Sequence, residues 1–574
     1  MKIFSYVLGL LLMITSCENS KHNQLFLDFK EKGVDALLPD FSYAGYKYGE
    51  TSVPTEKGNE YDVTDYDIYP DIDTDQIQKI QALVDSVGRN GGGVIFFPKG
   101  EYLFNAIDGE RNFLSIDYSH ITLRGEQGTQ FVKCQTLIQL EKEPWLSPAI
   151  IRVGNKIQGS EKFWGLDSKY NSGTADSCEI YHPDYLVSLK ESARKGSTQI
   201  ITENNSFINS GDFVLVAMYG QKDDESLIKR ILSPWKEFES YMTSALESDE
   251  KSMPSYQWLV EVEQTKGDTI CLKQPLRETI DMKYDPVVAK VPMLTEVGLE
   301  NIEFTSRWNG HYCHHGCEGS INREALIMDY GWNAIQFVRV AHGWISNVKI
   351  KDYVNPIYIL DSRNVTIDNL VLDGANGHSG VKFYSHACDN LLQNAVFKAS
   401  YTHMVSLEGN AYGNVVRKIK YDTEGNVSRG DFDFHGFSYK SFSPPSCNLF
   451  ELIEGFGHIT GGGALENLPH TAAKNTFWNV SLDGLKNGDD VFQYWVYEFE
   501  RFGSRKSYDD YKYFPGTILV GVKSTQGELV IDKRKDTWNK DWIYVDRLNN
   551  SVSPLSLYEA QRNYRLKNNS AAKK

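Results

Sequence analysis

Asn301-Ile302-Glu303-Phe304, Asn347-Val348-Lys349-Ile350, Asn369-Leu370-Val371-Leu372 and Asn394-Ala395-Val396-Phe397 repeat one pattern: asparagine, apolar residue, any residue, apolar residue. The asparagines lie 46, 22 and 25 residues apart, the first step being about twice the others. A second register runs through the same region in Ile335-Gln336-Phe337, Ile357-Tyr358-Ile359, Val381-Lys382-Phe383, Val405-Ser406-Leu407 and Phe432-Asp433-Phe434, with steps of 22, 24, 24 and 27. Two short strand registers sharing one period describe a coil with several strands per turn. Leucine-rich repeats have a similar period, but here leucine is not fixed and the strands are β-branched or aromatic. The expected fold is all-β, a right-handed parallel β-helix, with the recurring asparagine forming a stacked amide ladder inside a bend.

Upstream, Asp73-Thr74-Asp75-Gln76 opens a short amphipathic helix with Ile77, Ile80, Leu83 and Val84 at helical spacing. Gly91-Gly92-Gly93-Val94-Ile95-Phe96-Phe97-Pro98-Lys99-Gly100-Glu101-Tyr102 then reads as glycine turn, buried strand, Pro-Gly turn and strand. The helix is expected to cap the first coil. The solenoid is assigned to 36–484, interrupted by a helical, charged insertion at about 226–252 that is a candidate lid. Residues 485–574 lose the period and are read as a C-terminal cap or appended sheet.

The N-terminus bears on location. Lys2 precedes the short apolar stretch Tyr6 to Ile14, which is too short to span a bilayer and reads as a signal peptide. Ile14-Thr15-Ser16-Cys17 resembles the lipobox of bacterial lipoproteins, which implies cleavage before Cys17, its lipidation, and a polar tether over 18–35. The expectation is an exported monomer held to the bacterial outer membrane through its lipid alone.

The formal net charge of −16 argues against nucleic acid as a partner. An acidic polysaccharide then needs a local basic patch. Aromatic content is 13%, with 33 tyrosines, which suits sugar stacking and core packing equally. Cys17 leaves seven of the eight cysteines, an odd number that is no disulfide framework. His311-Tyr312-Cys313-His314-His315-Gly316-Cys317 has zinc-binding atoms without a usual zinc spacing, and reads as a loop or a Cys313–Cys317 disulfide. The acidic run Asp62 to Asp75 is a candidate for calcium, although helix capping explains it more simply.

Asp62-Val63-Thr64-Asp65, Asp75-Gln76-Ile77-Gln78 and Gly91 to Tyr102 resemble the opening of the pectate-lyase superfamily, in particular its rhamnogalacturonase/epimerase-like branch. Asp40-Phe41-Ser42-Tyr43-Ala44-Gly45-Tyr46 and Leu557-Tyr558-Glu559-Ala560-Gln561 resemble flanks of an uncharacterised group of these proteins. The resemblance spans the chain from about residue 36 and implies a polysaccharide-degrading β-helix. The fold hosts lyases, hydrolases, epimerases and binders, so chemistry must be sought in the side chains.

Strand alternation supplies candidates. If the flanking apolar residues of each second-register triplet face inward, the middle residue and those two away face outward. The outward rows become Gln336 and Val338, Tyr358 and Leu360, Lys382 and Tyr384, Ser406 and Glu408, then Asp431, Asp433 and His435. The turns before these strands add His378 and His403. Ionisable groups crowd the last three rows, and four of the 13 histidines fall between 378 and 435, more than a merely solvated face requires. A uronate lyase needs a base, a neutraliser of the carboxylate and an acid for the leaving oxygen. Lys382 or His403 are the base candidates, Tyr384 or His435 the acid candidates, and Arg429 or Arg339 the neutralisers; the superfamily resemblance favours Lys382. A hydrolase would use Glu408 with Asp433 or Asp431, on adjacent coils. Gly377-His378-Ser379-Gly380 is similar to the Gly-His-Gly segment of polygalacturonase-like hydrolases, but Asn333 and Asn355 stand where those enzymes carry Asp. A non-catalytic glycan-binding surface is the third reading. His342, His458 and His470 read as structural or peripheral.

Overall fold

The computed structural model describes residues 22–54, 58–104, 113–135, 149–154, 186–219, 226–234, 256–308, 331–422, 432–435, 444–457, 459–461, 471–491, 514–531 and 543–572. Cys17, the His311–Cys317 cluster, Arg429, Asp431, His458 and His470 lie outside them, as does most of the expected lid.

Two parallel sheets stack coil on coil. The long sheet has 13 strands and runs from Glu60–Asp62 through Ile121–Lys133, Gly298–Ser306, Trp344–Lys351, Thr366–Asp373, Leu391–Phe397, Val415–Tyr421 and Leu449–Glu454 to Ile543–Asp546. The second sheet has eight: Leu114–Ile116, Ala149–Val153, Asn333–Val338, Asn355–Leu360, Gly377–Tyr384, Tyr401–Glu408, Phe432–His435 and Ile459–Gly461. A third, narrow face consists of the parallel bridges Ala341–Arg363–Cys388–Tyr412–Ser446. The two periodic registers of the sequence are thus the long sheet and the second sheet. Their inward residues, among them Ile345, Ile367, Leu392, Val381, Phe383, Val405 and Phe434, form one continuous buried core.

The cap forms as expected over Ile77–Arg89, burying Ile77, Ile80, Leu83, Val84 and Val87. Asp75 accepts from Ile77 N at 2.7 Å and Asp62 accepts from Thr64 N at 2.9 Å, so these two acids of the run are helix caps. Gln81 exchanges two hydrogen bonds with the backbone of Ser115 (2.8 and 2.9 Å), closing the exposed edge of the second sheet. Gly92 has φ +96, and a Cβ there would meet the His120 carbonyl at 2.3 Å, which is why the turn into the first coil needs glycine.

Several expectations change. The asparagine ladder exists, but on the outside. Asn347 donates to Asn301 (3.1 Å) and Asn369 to Asn347 (2.7 Å), while Asn394 turns to Asp368. These residues have φ of 53–55 and sit at a left-handed kink within each strand, a conformation asparagine tolerates. A second ladder is buried: Asn390, Asn414, Asn448 and Asn475 pass side-chain hydrogen bonds along four coils at 2.9–3.0 Å. The coil does not stop at 484. Thr476–Trp478, Thr517–Val520 and Ile543–Asp546 extend the long sheet before the terminal helix Leu557–Ala572. The 18–35 segment is no plain tether either, because Gln24–Lys32 is a helix that buries Leu25, Phe26 and Phe29.

The segments on either side of the helical insertion, which read as strands over Ala193 to Met218 and Trp258 to Leu276, form a sheet. Six antiparallel strands between Leu186 and Val291 have their own core, which packs onto the third face at Ala341 and Cys388. Of the helical insertion, Ser226–Ile231 is described. Arg363 and Asp389, both fully buried, pin this contact. Arg363 donates to the Leu259 carbonyl (2.8 Å) and contacts Gln274, while Arg277 pairs with Asp389 at 2.7 Å.

Candidate active site

Pairing registers settle which side chains share a row. Along the second sheet Ser115, Arg152, Gln336, Tyr358, Lys382, Ser406, Asp433 and Thr460 are successive partners. Val338, Leu360 and Tyr384 form the neighbouring row, and Glu408 pairs with His435. The outward alternation read from the sequence therefore holds.

On these rows Lys382 Nζ lies 2.7 Å from Glu408 Oε1 and 5.2 and 5.7 Å from the ring centres of Tyr358 and Tyr384. His403 Nδ1 lies 3.0 Å from Asp433 Oδ2, off the axis of a good hydrogen bond, as catalytic pairs without substrate often are. Ser406 joins the two pairs, donating to Glu408 (3.0 Å) or Asp433 (3.3 Å). The His378 ring packs edge-on to His403 with centroids 4.9 Å apart, and its Nδ1 lies 3.2 Å from Asn355 Oδ1. His378 and His403 both lie within strands, not in the preceding turns as expected, because each strand starts earlier than its apolar triplet.

Burial sets the character of this array. The side chains of Lys382 and Glu408 are 15% and 12% exposed, and those of His403 and Asp433 are 9% and 2%. The Tyr358 hydroxyl is buried without a hydrogen-bond partner among the described residues; burial and then the Glu408 charge push its phenol well above the ordinary range. It stays protonated and available to donate.

Arg339 is elsewhere. It is buried at the bend after Asn333–Val338, where its charge acts on Asp361, so the second sheet does not present it as a neutraliser. His342 has the structural role read for it, with Nε2 3.0 Å from Glu261. Of His435 the structure describes the strand position. Tyr358, Ser406 and Arg152 escaped the list of candidates. Their only signal was position in the row, and an uncharged or isolated residue carries little chemical signature by itself. Among the described residues no cluster of three His, Cys, Asp or Glu is arranged to hold a metal.

Residues 61–164 match the family described as Rhamnogalacturonase A/epimerase, pectate lyase-like. With two stacked parallel sheets beneath that match, the assignment follows. This chain is a parallel β-helix whose residues 61–164 are pectate-lyase-like. Residues 402–571 also match a domain of unknown function, DUF4955. No curated protein matches the chain. Among solved structures, an exopolygalacturonase from Thermotoga maritima is 11% identical, covering 88% of this chain and 86% of its own, with a TM-score of 0.39. The A-module of a mannuronan C-5 epimerase from Azotobacter vinelandii is 9% identical, covering 86% and 98%, with a TM-score of 0.34. A tailspike of an Acinetobacter baumannii bacteriophage, solved with capsular saccharide, is 11% identical over 80% of this chain, with a TM-score of 0.36. The β-helix spans 57% of the length of that tailspike.

Proposed function

We propose that this β-helix acts on polysaccharides, and that it cleaves a uronic-acid-containing glycan by β-elimination. The observation that carries the reading is the meeting, on adjacent coils, of a cation, a histidine–carboxylate pair and phenols. Held by Glu408, Lys382 is a cation in place to neutralise the substrate carboxylate. His403, backed by Asp433, is the base that removes the proton α to that carboxylate. Tyr384, half-buried beside Lys382, returns a proton to the leaving oxygen. Relative to the sequence reading, Lys382 and His403 thus divide the work instead of competing for the role of base.

Glycoside hydrolysis is the second reading. It is favoured by Glu408 and Asp433 both reaching Ser406, which puts them closer than the about 6.5–9.5 Å of an inverting pair. Against it, each carboxylate is already engaged with a basic side chain. The purified protein, incubated with acidic and neutral polysaccharides, discriminates these readings. Rising ultraviolet absorbance of an unsaturated uronate together with new reducing ends is expected. Reducing ends alone would transfer the assignment to the carboxylate pair, and affinity without cleavage would leave a binder. We further propose that the protein works as an exported lipoprotein anchored at Cys17. Cys17→Ala should abolish incorporation of radiolabelled fatty acid, and unchanged labelling would defeat this proposal.

A further inference from the structure

A cavity of about 340 Å³ lies away from the Lys382 row, where the N-terminal segment 33–43, the antiparallel insertion and the third face of the β-helix meet. Three features of its wall call for a ligand. Lys195 and Lys474 stand in it half-buried, and neither has a carboxylate within ion-pair distance among the described residues. Burial and then the Lys474 charge push the Lys195 ammonium below its ordinary range, while Glu278 and Asp35 act on it only from a distance. Both lysines line one cavity, whose wall also carries Glu278 and Asp40. The Tyr256 hydroxyl and Asn410 Oδ1, on residues each 6% exposed, are buried without hydrogen-bond partners among the described residues. Buried polar atoms are ordinarily paired. Leu37 and Leu276 give the cavity an apolar side.

We propose that this cavity is a second binding site, for a small carboxylated sugar. The carboxylate is taken by Lys195 and Lys474, hydroxyls pair with Tyr256 and Asn410, and the C–H face of the ring lies on Leu37 and Leu276. The volume, near the lower end of small-molecule pockets, admits one or two sugar rings and not a polymer. Choosing a uronate over other carboxylated polyols rests on the glycan chemistry proposed above; the existence of an anion-and-hydroxyl site does not.

The test is calorimetric titration of the full chain with galacturonate, glucuronate, galactose, glucose and acetate. One of the acidic sugars should bind, the neutral sugars and acetate should not, and Lys195→Met or Lys474→Met should weaken binding about tenfold or more, the usual effect of losing a charge-assisted contact. Tyr256→Phe should weaken binding while leaving the unliganded protein no less stable, a combination that a purely structural hydroxyl would not produce. His403→Ala should bind as tightly as the parent. The proposal is overturned if no acidic sugar binds, if neutral sugars or acetate bind equally well, or if His403→Ala abolishes binding that both lysine variants retain. Uronate binding by a protein that cleaves no glycan would sink the proposed activity and leave this site standing.

Discussion

Lys382 and Glu408 occupy successive coils of the second sheet, with Nζ and Oε1 2.7 Å apart. The pair turns a lysine that sequence reading favours as a base into a fixed cation, and moves proton abstraction to His403. Lys382→Ala and His403→Ala should each lower kcat by about 10²–10⁴ if the elimination reading is right. Glu408→Gln keeps the shape and loosens only the lysine, so it should cost less, about tenfold. Steady-state kinetics on the identified glycan would check this ordering. A Glu408→Gln variant as inactive as His403→Ala would instead point to a carboxylate mechanism.

Asp433→Asn is expected to fold normally and to lose activity nearly as severely as His403→Ala. The amide preserves the contact with Ser406 but no longer supports a charged imidazole. Wild-type turnover in Asp433→Asn would remove Asp433 from the mechanism.

Asp389→Ala should lower unfolding free energy by about 3–5 kcal/mol, because it strands the buried Arg363 and Arg277 charges. Urea denaturation reads the change. The loss should be smaller when Arg363 is replaced by Met in the same chain, since the double variant buries one charge fewer; an equal loss would show that the pair is not the cause.

Lys133 is fully buried over the Trp332 ring, its amine has no hydrogen-bond partner among the described residues, and burial pulls its pKa well below the ordinary 10.5. The folded state therefore takes up the amine's proton only at a lower pH than the unfolded chain, which is protonated below pH 10.5. Unfolding takes up a proton, so Lys133 penalises stability increasingly as pH falls below that value. Lys133→Met should be more stable than the parent at pH 7, with the gap closing as pH rises toward 10.5. A pH-independent gap, or a less stable variant, would contradict this account.

The two asparagine ladders should respond differently. Asn414→Ala, in the buried ladder, leaves partners on two coils unsatisfied and should cost about 1–3 kcal/mol. Asn347→Gly, on the exposed kink at φ 54, should be nearly neutral, whereas Asn347→Val should be costly because a β-branched residue resists a positive φ. Chemical denaturation of the three variants tests the contrast.

Much of the architecture was readable before any coordinates. Period, apolar alternation and the Gly91–Gly93 turn announce a coil, since inward residues must be apolar on every turn and the helix must cover an open end. The buried ladder was readable in principle: Asn390, Asn414, Asn448 and Asn475 each precede an apolar or threonine strand start. The exposed set repeats more regularly and is the stronger signal. Strands were legible at Ala193 to Met218 and Trp258 to Leu276, but their antiparallel pairing was not, because these strands pair out of chain order and share no period.

The active-site row divides in the same way. Which residues lie side by side, Tyr358 by Lys382 by Ser406 by Asp433, follows from the repeat alone. Fold class, the outward rows and the cluster of ionisable groups are legible in the residue order, because each of these depends on spacing along one chain. Tertiary contacts settle that Lys382 meets Glu408, that His403 meets Asp433, that Arg339 is buried at the bend, and that segments 33–43, 186–291 and the third face enclose a cavity. Those outcomes depend on side-chain direction and on contacts between distant segments, and no periodicity encodes either.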